Sequence, residues 1–121
     1  MAVTVTNQSN PIGSKLVQDT SAAGTAVDNT TGASGVLYVV EIDNTANASV
    51  VYFKMADTDD ATAGTTAAGL VLLCNASTKM SYAFPTGITF STGFSHWCVT
   101  SATESSVANP SSAVVVRYVT S

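Results

Sequence analysis

A chain of 121 residues is one domain, or one domain with an arm. Only 10% of its residues are charged, against roughly a quarter in an ordinary soluble domain, and Ser and Thr, about a quarter of the chain, supply polarity instead. The net charge of −4, with Lys15, Lys54, Lys79 and Arg117 as the only cations, gives no basic face to neutralise phosphates, and no apolar run approaches the ~20 residues of a spanning helix, so neither nucleic acid nor a membrane is expected as a partner.

Hydroxyl-rich segments suit strands, where Thr is favoured, and suit helices poorly. No window carries apolar residues at i, i+3, i+4, i+7 with charges opposite. The expected class is therefore all-β: an antiparallel β-sandwich, jelly-roll-like, of about seven to eight strands.

Residues 1–34 read as an extended N-terminal arm, with the sandwich domain following at 35–121. Val3, Val5, Ile12, Leu16 and Val17 are its only sizeable apolar anchors. The rest is Thr, Ser, Asn, Gly and Ala, which bury too little area to order the segment alone. Two outcomes stand open: a disordered tail, or an arm ordered on another subunit. The alternation in Ala2-Val3-Thr4-Val5-Thr6 favours the second, because an added edge strand reads this way. Val3, Val5, Leu16 and Val17 are then the candidate inter-subunit contacts. The first residues lack a basic start and an apolar run, so synthesis and folding in a cytoplasm are expected.

Gly35 to Asp57 is the strongest structural signal. Val36, Tyr38, Val40 and Ile42 share one face of a strand, and Val51, Phe53 and Met55 alternate with Tyr52 and Lys54. The Asn44–Ser49 linker has the composition of a hairpin loop, so these two runs are expected to pair. After a Thr/Asp/Gly loop, Gly69–Asn75 is a short continuous apolar run, as in a strand buried on both faces or a sandwich-core strand. Met80, Tyr82 and Phe84 alternate until Pro85, which is expected to stop the strand. Thr86-Gly87 and Thr92-Gly93 bracket a short strand with Ile88 and Phe90. Phe94–Ser101 follows, then a polar loop, then a last strand over Ala113–Thr120 with Val114, Val116 and Tyr118 on one face.

Candidate chemistry is sparse. His96 and Cys98 fall on one strand face, but no third orienting group or Gly-rich turn adjoins them, and the expected role is structural. Cys74 and Cys98 lie in different strands; they either pair or remain buried thiols, with free thiols favoured by cytoplasmic folding. Asp57-Thr58-Asp59-Asp60 has some look of a calcium loop, but the twelfth position counted from Asp57 is Ala68, where an EF-hand needs Glu. Glycosylation sequons such as Asn7-Gln8-Ser9 and Asn47-Ala48-Ser49 arise readily in so Asn-, Ser- and Thr-rich a chain. Phosphate loops and hydrolase elbows do not occur in the sequence. The expectation is a protein that is not an enzyme and holds no cofactor or metal.

From Val36 onward the order of features resembles a group of small β-sandwich proteins of tailed bacteriophages, especially those of marine and freshwater hosts. The resemblance is carried by Ile42-Asp43-Asn44, Val51-Tyr52-Phe53-Lys54, Gly64-Thr65-Thr66, Leu70 to Cys74, and Gly87 to Gly93. It implies a virion component made in the host cytoplasm. The leading form is a capsid cement (decoration) protein on the capsid surface, a homo-oligomer with a trimer favoured, bound to the major capsid protein. A neck, tail or fibre component is the alternative within the virion. A carbohydrate-binding module, using Trp97, Tyr82 or Tyr52 as aromatic platforms, is the alternative of another class.

Overall fold

Where apolar and hydroxyl side chains alternate along an extended chain, one face of each strand becomes a surface that must be covered. In the computed structural model, which describes residues 3–7 and 13–121, two antiparallel sheets cover each other's apolar faces. The eight strands are β1 (Val3–Asn7), β2 (Lys15–Ala22), β3 (Gly35–Asp43), β4 (Val51–Asp57), β5 (Leu70–Cys74), β6 (Lys79–Phe90), β7 (Phe94–Val99) and β8 (Val114–Thr120). The larger sheet runs β1-β2-β8-β3-β6 and the smaller β5-β4-β7. Val27 adds a single bridge to His96 on the outer edge of β7. With the segment carrying Val27 placed fourth in the smaller sheet, the order is that of a jelly roll, with β1 as an extra strand outside it. The expected all-β sandwich is therefore the fold.

The core lies between the sheets. Val17, Leu37, Val40, Ile42, Val114, Val116 and Tyr118 from one side meet Val51, Phe53, Met55, Leu72, Phe94 and Cys98 from the other. Each large apolar side chain so buried contributes about 1.5–3 kcal/mol. Phe94 stacks on Tyr118 with ring centroids 4.5 Å apart and packs edge-on to Phe90 at 5.4 Å.

Three expectations are corrected. The first is the boundary at residue 35. Residues 15–22 are not arm but an internal strand, paired with β1 on one side and β8 on the other. Val17, expected as an inter-subunit contact, is fully buried in the chain's own core. The segment needs no second subunit because β8 supplies its ladder and Tyr118 sits directly opposite Val17. Ile12 lies outside the described residues.

The second correction concerns β3 and β4, which do not pair as a hairpin but belong to opposite sheets. The linker between them is a crossover held by side-chain amides. Buried Asn44 donates from Nδ2 to the Ser49 and Asn75 carbonyls, at 2.9 and 3.0 Å. Buried Asn47 donates to Asn44 Oδ1 at 2.9 Å and to the Ser112 carbonyl at 3.0 Å, and its Oδ1 accepts from Ser112 N at 2.7 Å. These amides replace a strand ladder with a knot joining three loops.

The third correction is at Pro85, which interrupts no strand. β6 runs unbroken from Lys79 to Phe90 as the last strand of its sheet. Leu37 pairs with Ile88 while Val39 pairs with Ala83, so Phe84 to Gly87 bulge out opposite Tyr38. An edge strand accepts proline because the missing N–H faces no neighbour, and Gly87 takes the left-handed conformation (φ 76°) that closes the bulge.

Candidate functional site

The densest chemistry in the molecule is a chain of polar side chains sealed between the sheets. β2 brings Asp19, β7 brings His96, β8 brings Tyr118, and the segment after β2 brings Thr30. His96 Nε2 lies 2.9 Å from Asp19 Oδ2, and His96 Nδ1 lies 2.8 Å from the Tyr118 hydroxyl. That hydroxyl is 2.7 Å from Thr30 Oγ1, which lies 3.0 Å from the Phe94 carbonyl. Asp19 Oδ1 also accepts from Ser21 N at 3.0 Å. With Nε2–H donating to Asp19 and the Tyr118 hydroxyl donating to Nδ1, the single Thr30 proton serves either the Tyr118 oxygen or the Phe94 carbonyl.

Asp19, His96 and Tyr118 are each at most 1% exposed. A substrate has no route to them, and no unspent group faces outward. Burial raises the Tyr118 hydroxyl far above its ordinary range, the Thr30 hydrogen bond opposing only in part. The arrangement therefore acts as a polar lock between β2, β7 and β8, of the kind that fixes one alignment when every member is satisfied.

His96 and Cys98 form no nucleophile–base pair. Both lie on the inner face of β7, but both ring nitrogens of His96 are taken by Asp19 and Tyr118. Cys98 and Cys74 are free and buried, and the Cys98 thiol is pushed up to about 12 by desolvation first and by nearby negative groups second. Burial likewise raises Cys74. Asp19, Thr30 and Tyr118 were not legible as partners of the histidine. The available signal was one carboxylate within the hydroxyl-rich run Gln18–Ser21 and a tyrosine on the apolar face of the last strand.

Asp57, the first carboxylate of the acidic loop, is also spent internally. Asp57 accepts from Ser91 N and Thr92 N, both at 2.8 Å, from Ser91 Oγ at 3.1 Å and from Gly93 N at 3.4 Å. It closes the turn between β6 and β7, and the Ser91 and Thr92 amides hold its carboxyl below the usual range. Among the described residues no three His, Cys, Asp or Glu side chains come together as a metal site.

Comparison of the chain with protein-family models, curated protein sequences and solved structures finds no match. What the chain offers a partner is therefore read from its own surface.

Trp97 and Lys54 are paired across β7 and β4 on the outer face of the smaller sheet, and both are covered. Lys54 Nζ donates to the Thr103 carbonyl at 2.7 Å, which pins the 100–112 loop over them. Ala26, Ala61 and Ala63 close over Trp97. Trp97 is thus no platform for a sugar ring. Above these alanines is a shallow cleft of about 540 Å³ bordered by Gly24, Asp28, Thr62, Val107 and Asn109. Its two obvious recognition groups are occupied: Asp28 accepts from Ala61 N and Asn109 from Gly24 N, each at 2.8 Å.

The sheet edges differ sharply. The free side of β7 is covered, with Cys98 N donating to Ala23 O and His96 exchanging backbone bonds with Val27. β6 is blunted by its bulge, by Pro85 and by Lys79, the devices that keep edge strands from pairing. On β5 the Tyr82 hydroxyl caps the Leu73 carbonyl, while Val71 and Leu73 remain exposed. β1 carries no charge, no proline and no bulge. Of the candidate contact residues, Val5 is 45% exposed on this strand, and Val3 is partly buried against the core. Leu16 is half-buried opposite Thr6 and Val119.

Proposed function

We propose that this chain is a non-enzymatic structural protein of a tailed-phage virion. In this reading it is a capsid cement protein on the capsid surface, which assembles with copies of itself as a trimer and links neighbouring subunits of the major capsid protein. The observation that carries the proposal is the open edge of β1: an uncharged Val-Thr-Val-Thr strand that the fold leaves with an unpaired side. Strand addition there would supply main-chain hydrogen bonds, each worth about 0.5–1.5 kcal/mol net, with Val3 and Val5 giving side-chain contact.

Two further features support it. Among the described residues, the constellation with catalytic residue types is enclosed and spent on itself, which suits a rigid building block. The low charge limits repulsion between copies packed densely on a surface. Jelly rolls recur in capsid proteins and also in lectins, so the fold alone supports the assignment only by analogy.

The test is reconstitution. Recombinant protein mixed with capsids that lack it should co-sediment to a saturating level and raise the temperature at which the capsids rupture. Failure to bind any particle state, expanded or unexpanded, would overturn the cement assignment.

A further inference from the structure

Sheet sizes leave the sandwich asymmetric. At one side, β1 extends past β7 and the Val27 segment, so Val5, aligned with buried Val17, keeps 45% of its surface exposed on the inward-facing side of the larger sheet. At the opposite side β5 and β6 end together. There Leu70, Met80, Tyr82, Phe84 and Ile88 pack against the core but stay half-open, and Val71 and Leu73 are 43% and 38% exposed on the outer face of β5.

We infer that these two sides are complementary: β1 of one copy docks along the β5/β6 rim of the next, head to tail, and closes a ring of identical subunits. The occupant of the rim is thus a second copy of this chain. Four observations carry the inference. β1 and β5 are both five-residue strands with an unpaired side, so one can extend the other's ladder along its full length. Tyr82 uses only one lone pair of the Leu73 carbonyl, which leaves the other for an incoming N–H.

Charge points the same way. A chain of net charge −4 must meet itself where its own negative charge is absent. β1 and β5 hold no charged residue, and the single charge on β6 is the cation Lys79. The rim also has the composition of an interface centre, with Met, Tyr and Phe grouped among aliphatics.

Isologous pairing of β1 with β1 is the competing arrangement. It would leave the whole β5/β6 rim uncovered, whereas one head-to-tail contact covers both surfaces. Repetition of a head-to-tail contact closes into a ring where the rotation between copies closes, which is the form the trimer of the proposed function requires.

This inference deepens the homo-oligomer of the proposed function. It is tested on free protein, so its failure and the failure of capsid binding are separate results. Native mass spectrometry and analytical ultracentrifugation at tens of micromolar would give the mass of the wild type, of Val5→Lys and of Leu73→Lys. Circular dichroism would confirm that each variant is folded, and Val5→Thr and Val71→Thr replace any that is not.

The expected result is a closed oligomer for the wild type and monomers for each variant. Mixing the two variants should restore a one-to-one pair and nothing larger, because one intact β1 then meets one intact rim. A monomeric wild type would overturn the inference. So would loss of assembly in Val5→Lys alone, which would mean β1 paired with β1, or in Leu73→Lys alone, which would mean rim against rim.

Discussion

Asp19 and His96, 77 positions apart, meet between the sheets with Oδ2 and Nε2 at 2.9 Å and almost no exposure. The contact ties β2, near the start of the chain, to β7, and through Tyr118 to β8. It makes the N-terminal segment part of the fold and gives the polar lock its cost when broken.

Removing one member of such a pair leaves the other buried without its partner, a loss of about 3–5 kcal/mol. Asp19→Ala should fall in that range by urea denaturation, a large part of the ~5–15 kcal/mol that holds a domain of this size. Asp19→Asn keeps a hydrogen-bond acceptor and should lose less. An Asp19→Ala midpoint within about 1 kcal/mol of wild type would show that the lock contributes little.

Truncation separates arm from fold. Deleting residues 1–12 removes β1 and leaves β2 in place against β8. That protein should keep its strand signal in circular dichroism and melt cooperatively. Deleting residues 1–22 also removes Val17 and Asp19 and should abolish cooperative melting. Equal melting temperatures for both truncations would contradict the placement of β2.

The general class was legible in the sequence because period-2 alternation and hydroxyl content act locally, strand by strand. Residues 51–55 and 114–118 read correctly for that reason. Residues 36–42 read correctly as a strand but not in its faces. The register shift between Leu37 and Val39 puts Leu37 in the core with Val40 and Ile42 and leaves Val36 and Tyr38 half-buried. Pairing was not legible. Asn44 and Asn47 look like ordinary turn residues, and only in three dimensions do they reach Asn75 and Ser112, which turns an apparent hairpin into a crossover. The same limit hid β2. Its apolar content is small, and what anchors it is a partner strand nearly a hundred residues away, as the 99-position separation of Arg117 and Gln18 in their 2.9 Å hydrogen bond shows. Pro85 misled because its effect depends on whether the strand is at an edge, and sequence does not say which strand is outermost.

The crossover amides give a second stability prediction. Asn47→Ala removes a donor to Asn44 and Ser112 and an acceptor for the Ser112 amide. Loss of a buried hub of this kind should cost about 2–4 kcal/mol, since each stranded partner carries a desolvation penalty of ~1–3 kcal/mol. Asn44→Ala should behave alike, and the double variant should lose less than the sum. Additive losses would mean that the two amides do not act as one unit.

Acid and alkali should each find a defined weakness. Asp57 is held below the ordinary carboxylate range by the Ser91 and Thr92 amides, and Asp43 by Thr45. Both bind protons more weakly folded than unfolded. Their contribution is therefore complete above about pH 4 and drains as pH falls further. Asp57→Asn should flatten that acid limb and cost about 1 kcal/mol at neutral pH, kept small by solvent exposure. Tyr118 and Cys98 are shifted upward, so stability is complete below about pH 8.5 and falls as pH rises, when the unfolded chain can release those protons. A melting temperature unchanged from pH 3 to pH 10 would refute both arms.

The thiols give a direct check on burial. Cys74 and Cys98 should resist a thiol reagent at neutral pH and react fully in denaturant, and reductant should leave the melting temperature unchanged. Fast labelling of Cys98 in native protein would show that the core opens.

The central claim is that this chain is a repeated building block of a capsid surface. Quantitative mass spectrometry of purified virions, with the major capsid protein as internal standard, measures it most directly. The account predicts hundreds of copies per particle, in fixed proportion to the major capsid protein. A few to tens of copies would place the protein in the neck, tail or fibres instead, and its absence from purified particles would contradict the account altogether.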